Sequence, residues 1–132
     1  MRVITAEHII DFNRRICSDY GNEHFILNKS LVESAVGAAF FDMEGVDYVH
    51  GEIPEIAAAL CFKVIKNHAF GDGNKRTAAI SSIAFLDLNG LELSYHKDGI
   101  GTEFHRIIES VADNKTTEND LKKWFVDHTS QH

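Results

Sequence analysis

The run EIAAALCFKVIKN, from Glu55 to Asn67, is apolar on nearly every side when wound as a helix. A helix without a polar face has to lie inside a bundle rather than on its surface. Pro54, just ahead of it, suits a first helical turn, where its missing N–H costs nothing. A second run, NKRTAAISSIAFLDLNG, repeats the pattern and ends on Asn89-Gly90, a left-handed stop signal. Two buried helices in 132 residues, 44% of them apolar, describe one compact domain spanning residues 1–132.

The remaining elements pack around that pair. In TAEHIIDFNRRICSDY, Ile9, Ile10, Phe12, Ile16 and Cys17 form one stripe at helical spacing, and Gly21 follows as a stop. SLVESAVGAAFF opens with Ser30 and places Glu33 three residues on, the pattern of a capping box, so a second helix is expected to start at Ser30. DMEGVDYVHGEIP has no helical period and reads as an exposed loop or small hairpin over Val46, Asp47, Tyr48 and Val49. LELSY can pair as a short strand. GTEFHRIIESVAD and TENDLKKWFVDH are amphipathic helices, the latter capped by Thr116 or Thr117. The class is all-α, a bundle of about six helices with at most one small hairpin.

Charge and cysteine usage narrow the function. Thirteen Lys and Arg against twenty Asp and Glu give a net charge of −7, which disfavours nucleic acid as a partner. No apolar run approaches the ~20 residues of a membrane span, and the opening MRVITAEHII lacks the apolar core of a secretion signal. Cys17 and Cys61 sit in apolar helical patterns, as reduced core residues of a cytoplasmic protein would. The eight histidines show no zinc-ligand spacing, and His128 and His132 fall at an end expected to fray. Trp124 and Phe125 are assigned to the core. Ser81 and Ser82 are expected to bond back to their own helix carbonyls.

Between the two buried helices lies HAFGDGNKR, and it places Lys75 and Arg76 at a helix start. That end of a helix carries unpaired amides and about half a positive charge, so without a ligand each cation there costs about 0.3–1 kcal/mol. A phosphate chain reverses the sign. Gly73 lets backbone approach an oxygen closely, and Asn74 can cap the helix or donate to phosphate. Asp72 is a hard ligand of the kind Mg²⁺ accepts while sharing the ion with phosphates. The imidazole of His68 can take a proton from an incoming hydroxyl, which makes it the candidate base. Phe70 is expected to anchor the loop in the core. Taken alone, these residue types also occur in structural loops, and a non-catalytic anion-binding module stays open. Their spacing is neither that of a P-loop nor that of the protein-kinase signatures.

His68, Phe70, Asp72, Gly73, Asn74, Lys75 and Arg76 fill every fixed position of H-x-F-x-[DE]-G-N-[GK]-R, and the chain thereby resembles the Fic/Doc family. The likeness to its death-on-curing branch runs through the MRVIT start, SDYG after the first helix and FLDLNGLEL after the motif. The resemblance implies the Fic fold with a small β-hairpin flap for target docking at Val46–Val49. It also implies a Mg²⁺-dependent transfer from ATP to a protein hydroxyl, with His68 as base, Asp72 on the metal, and Gly73, Asn74, Lys75 and Arg76 on phosphates. Lys75 stands where adenylyl transferases of the family have a second glycine, and Ala79 where they have a second arginine. Both departures favour transfer of the terminal phosphate, with the nucleotide reversed, over AMP transfer. The same resemblance implies a translation elongation factor as target and an antitoxin in trans, since no [ST]-x-x-x-E-[GN] self-inhibitory motif occurs in the chain.

Overall fold

The computed structural model describes residues 1–19, 21, 28–41, 49, 51–96 and 102–131. Among them are six helices and one two-stranded sheet: α1 (Ala6–Asp19), α2 (Lys29–Phe40), α3 (Ile53–Asn67), α4 (Asn74–Leu88), β1 (Leu91–Leu93), α5 (Glu103–Ala112), α6 (Glu118–His128) and β2 (Thr129–Gln131). The all-α class expected from the sequence stands. Of the docking segment, only Val49 lies within the described residues; Val46, Asp47 and Tyr48 lie outside them, as do Tyr20 and His132.

Helix α3 is the axis of the bundle. It packs against α4, α6 and α2, and more lightly against α5, while α1 lies on α4. Ile56, Ala57, Ala58, Ala59, Leu60, Cys61, Val64 and Ile65 are all buried, so every face of α3 is covered. The three alanines let neighbouring backbones come close without leaving voids. Pro54 lies in its first turn, and the Glu55 carboxylate accepts from the Glu52 N–H at 3.2 Å, tying down the helix start.

Several details differ from the sequence reading. The cap of α2 is Asn28, not Ser30: Asn28 has extended backbone, and its Oδ1 accepts from the Ser30 N–H at 3.0 Å. Ser30 lies inside the first turn and gives its hydroxyl proton to the same oxygen. Polar residues at both 28 and 30 make either a credible cap in sequence, and backbone geometry decides between them. The strand expected in LELSY is β1, and its partner, which the sequence did not show, is β2, antiparallel with Leu91 opposite Gln131 and Leu93 opposite Thr129. Consequently the chain end is held. His128 stacks on Trp124 at 4.2 Å, its Nδ1 lies 2.7 Å from the Trp124 carbonyl, and the Ser94 N–H donates to the His128 carbonyl at 2.7 Å. Ser82 does bond back, to the Ala79 carbonyl at 2.9 Å, whereas the buried Ser81 Oγ has no hydrogen-bond partner among the described residues.

Tyr95, Phe104, Trp124 and Phe125 form an aromatic cluster, Phe104 and Trp124 stacked at 5.4 Å and Phe104 meeting Phe125 edge-on at 5.8 Å. This cluster fixes α5 against α6, and α5 is one wall of the cavity described below. Both cysteines are free and buried. Burial pushes the Cys61 thiol up to about 12. Because the thiolate is the reactive form, a water-soluble disulfide reagent at pH 8 is expected to leave Cys61 untouched in the native protein and to titrate both thiols after denaturation. Fast native labelling of Cys61 would contradict the packing of α3 against α4. No helix among the described residues is long and apolar enough to cross a membrane.

Candidate active site

The end of α3 and the start of α4 are joined by the loop 68–73, and the two helix termini are brought together because Phe70 drops into the core. Phe70 is 2% exposed and Ala69 4%, while His68 and Asp72 on either side face outward. Two further ties hold the loop to α2: the Asn28 N–H donates to the Ala69 carbonyl at 3.2 Å, and Asn67 Nδ2 donates to the Leu31 carbonyl at 3.0 Å.

His68 terminates α3 in the left-handed region, with φ 47° and ψ 48°. For a residue with a Cβ that conformation costs roughly 1–2 kcal/mol, and glycine is the usual occupant of such a helix end. This strained residue carries its side chain onto a cavity of about 540 Å³. The same cavity is lined by Asp72, Gly73, Asn74, Lys75 and Arg76 from the loop and α4, by Ile65 and Ala79, and by Phe104, His105, Ile108 and Glu109 from α5. Every polar residue of the motif therefore borders one space, and α5 contributes both the apolar Phe104 and Ile108 and the polar His105 and Glu109 to its far wall.

The loop's own hydrogen bonds explain its shape. Asn74 Nδ2 donates to the Phe70 carbonyl at 3.0 Å and Asn74 Oδ1 accepts from the Phe70 N–H at 3.2 Å, closing the loop on itself. The Asn74 side chain therefore locks the turn rather than capping α4. The residue at the cap is Gly73, at φ 77°, with no side-chain cap bond. Glycine is favoured there by conformation, and a Cβ would also stand 3.2 Å from Asn13 Nδ2, a close approach, and 3.5 Å from Ile16 Cγ2, an ordinary contact. The Gly73 N–H donates to Asp72 Oδ1 at 2.8 Å, which orients the carboxylate. Burial first, and the Asp72 charge second, raise the Cys17 thiol beneath the loop above its ordinary range.

Lys75 is tied to α5 across the cavity. Its Nζ lies 2.9 Å and 3.0 Å from the two carboxylate oxygens of Glu109, and His105 Nε2 stands 3.8 Å from the nearer one. Arg76 borders the same cavity and is exposed. Among the described residues no group of three or more His, Cys, Asp or Glu side chains could hold a metal. One oriented carboxylate, that of Asp72, does fit Mg²⁺, which keeps most of its waters and shares phosphate oxygens with its ligand.

Asn13, Glu109 and His105 escaped the sequence reading. Asn13 left a signal, a polar residue interrupting the buried stripe four positions after Ile9 and four before Cys17. Glu109 left none, since it is 34 residues from its partner Lys75.

Comparison with known proteins agrees with this geometry. The model of the Fic/DOC family matches residues 3–86, which include the whole loop. The protein named Toxin Doc from Mycolicibacterium smegmatis (strain ATCC 700084 / mc(2)155) is 36% identical over 75 residues, 57% of this chain and 57% of that relative. The similar stretch thus spans little more than half of the toxin's length.

Proposed function

The chain belongs to the Fic/DOC family, and on that premise we propose that it is a Doc-type toxin which moves the γ-phosphate of ATP onto a Ser or Thr hydroxyl of a target protein. The observation that carries the reading is the convergence of His68, Asp72 and the first turn of α4 on one cavity. The unpaired amides at the start of α4, with Lys75 and Arg76, hold the phosphate chain. Asp72 would hold Mg²⁺ on that chain, and the ion supplies charge neutralisation of the phosphates. His68 takes the proton of the target hydroxyl as its oxygen bonds to the γ-phosphorus; the bond from that phosphorus to the bridging oxygen breaks, and ADP leaves. Phe70 and the Asn74 clasp hold these groups in register, which is most of what positional catalysis requires.

Terminal transfer is favoured over adenylyl transfer by Lys75, whose side chain stands in the cavity where a glycine would leave backbone bare. By family resemblance the target is a translation elongation factor, docked at the segment ending in Val49, and an antitoxin in trans restrains the enzyme. Incubation with cell extract and ATP labelled separately at the α and γ positions is expected to leave label on protein from the γ position. Label from the α position alone would establish adenylyl transfer instead, and a passive anion-binding module would transfer neither.

The Lys75–Glu109 pair gives a further expected result. Both partners are partly exposed, at 46% and 39%, so the pair itself is worth at most about 1 kcal/mol. Glu109→Gln frees Lys75 and removes a negative charge from the phosphate cavity. ATP affinity is expected to rise by up to about fivefold, with folding stability little changed. A fall in affinity would mean that Glu109 serves to aim Lys75.

A further inference from the structure

We propose that Asn13, on α1 and outside the motif, is a positioning residue that sets the direction of the Asp72 carboxylate. The side chain is fully buried, at 0% exposure. Its Nδ2 donates one proton to the Asp72 main-chain carbonyl at 2.8 Å and the other to Thr77 Oγ1 at 3.0 Å. Its Oδ1 lies 3.7 Å from Cys17 Sγ, within reach of the weak thiol donor. The amide thus spends both its protons on the stretch from the loop to the first full turn of α4, where the Thr77 N–H donates to the Gly73 carbonyl at 2.9 Å.

The consequence is directional. With its carbonyl drawn inward onto α1, the Asp72 backbone turns its side chain outward to the cavity, and a Cβ on Gly73 would stand only 3.2 Å from Asn13 Nδ2. A carboxylate that must meet an ion and a phosphate oxygen together tolerates little drift, and a second-tier hydrogen bond to its own backbone limits that drift. The ligand's identity in this inference rests on the function proposed above; the placement of the loop does not.

The test measures amide hydrogen exchange in the ligand-free protein and, separately, the Mg²⁺ dependence of transfer. Asn13→Leu keeps the size and loses both donors. Asn13→Ser is read in parallel, so that the answer does not hang on one side chain being accommodated. Exchange at the hydrogen-bonded amides of Gly73 and Thr77 is expected to quicken about tenfold or more in both variants, while Phe85 and Leu86 further along α4 keep their protection. The Mg²⁺ concentration for half-maximal transfer is expected to rise about tenfold, with a smaller change in KM for ATP. Unchanged exchange at Gly73 and Thr77, or equal quickening along all of α4, would overturn the inference and leave Asn13 an ordinary core residue. A wild-type protein that transfers nothing would sink the functional reading alone, since the exchange result still decides the placement of the loop.

Discussion

His68→Ala is expected to slow phosphate transfer by about 10²–10⁴-fold, the range a positioned general base supplies, with the KM for ATP nearly unchanged. Proton removal and nucleotide binding fall to different residues here, so the two parameters separate. The left-handed backbone of His68 sharpens the experiment. His68→Gly should be equally inactive, yet more stable than the wild type by about 1 kcal/mol, because glycine occupies this helix end without strain. A protein that gains stability while losing activity at one position keeps a strained residue there for its chemistry. Full activity in the alanine variant would remove His68 from the mechanism, and a glycine variant no more stable than the wild type would remove the strain argument.

Phe70→Ala is expected to cost about 3–5 kcal/mol, the range for deleting a buried aromatic ring. Phe70 is 2% exposed and packs where α1, α2 and α3 meet, near Ile9, Val32, Ala35 and Val64. Domains of this size have only about 5–15 kcal/mol of total stability, so the denaturation midpoint should fall steeply with little change in slope. The ring is also the pin of the loop, and transfer at low temperature should fall with it even where the protein stays folded. A loss below about 1 kcal/mol would mean that the loop is held by the Asn74 clasp alone.

Much of this fold was legible in the sequence because its strongest signals are local. The apolar wrap of Glu55–Asn67 predicts the central helix, and α3 proves buried on all sides. Asn89-Gly90 predicts the end of α4, and Gly90 stands at φ 77° just after it. Half of the sheet was legible, since LELSY reads as a short strand and β1 lies within it, but the polar Thr129–Gln131 gave no sign of the other half. Its pairing with β1, 36 positions earlier in Leu93↔Thr129, is a matter of tertiary packing. The same packing holds His128 on Trp124, where sequence position alone suggested fraying.

The loop residues of the site were legible for the same local reason: a helix start that gathers Lys75 and Arg76 is out of place without an anion. What surrounds them was not. Asn13 reaches Asp72 across 59 positions, and Glu109 reaches Lys75 across 34. No spacing rule connects such pairs. Asn74 shows the limit from the other side, since its amide could serve a helix cap in sequence, and the fold instead bonds it to the Phe70 N–H and carbonyl.

The most direct measurement is a calorimetric titration of the protein with ATP in the presence of Mg²⁺, alongside Arg76→Ala. A single site on the wild type, weakened in the variant, is the result that follows from phosphates seated at the start of α4. No heat of binding from any nucleoside triphosphate, or binding indifferent to Arg76→Ala, would contradict it.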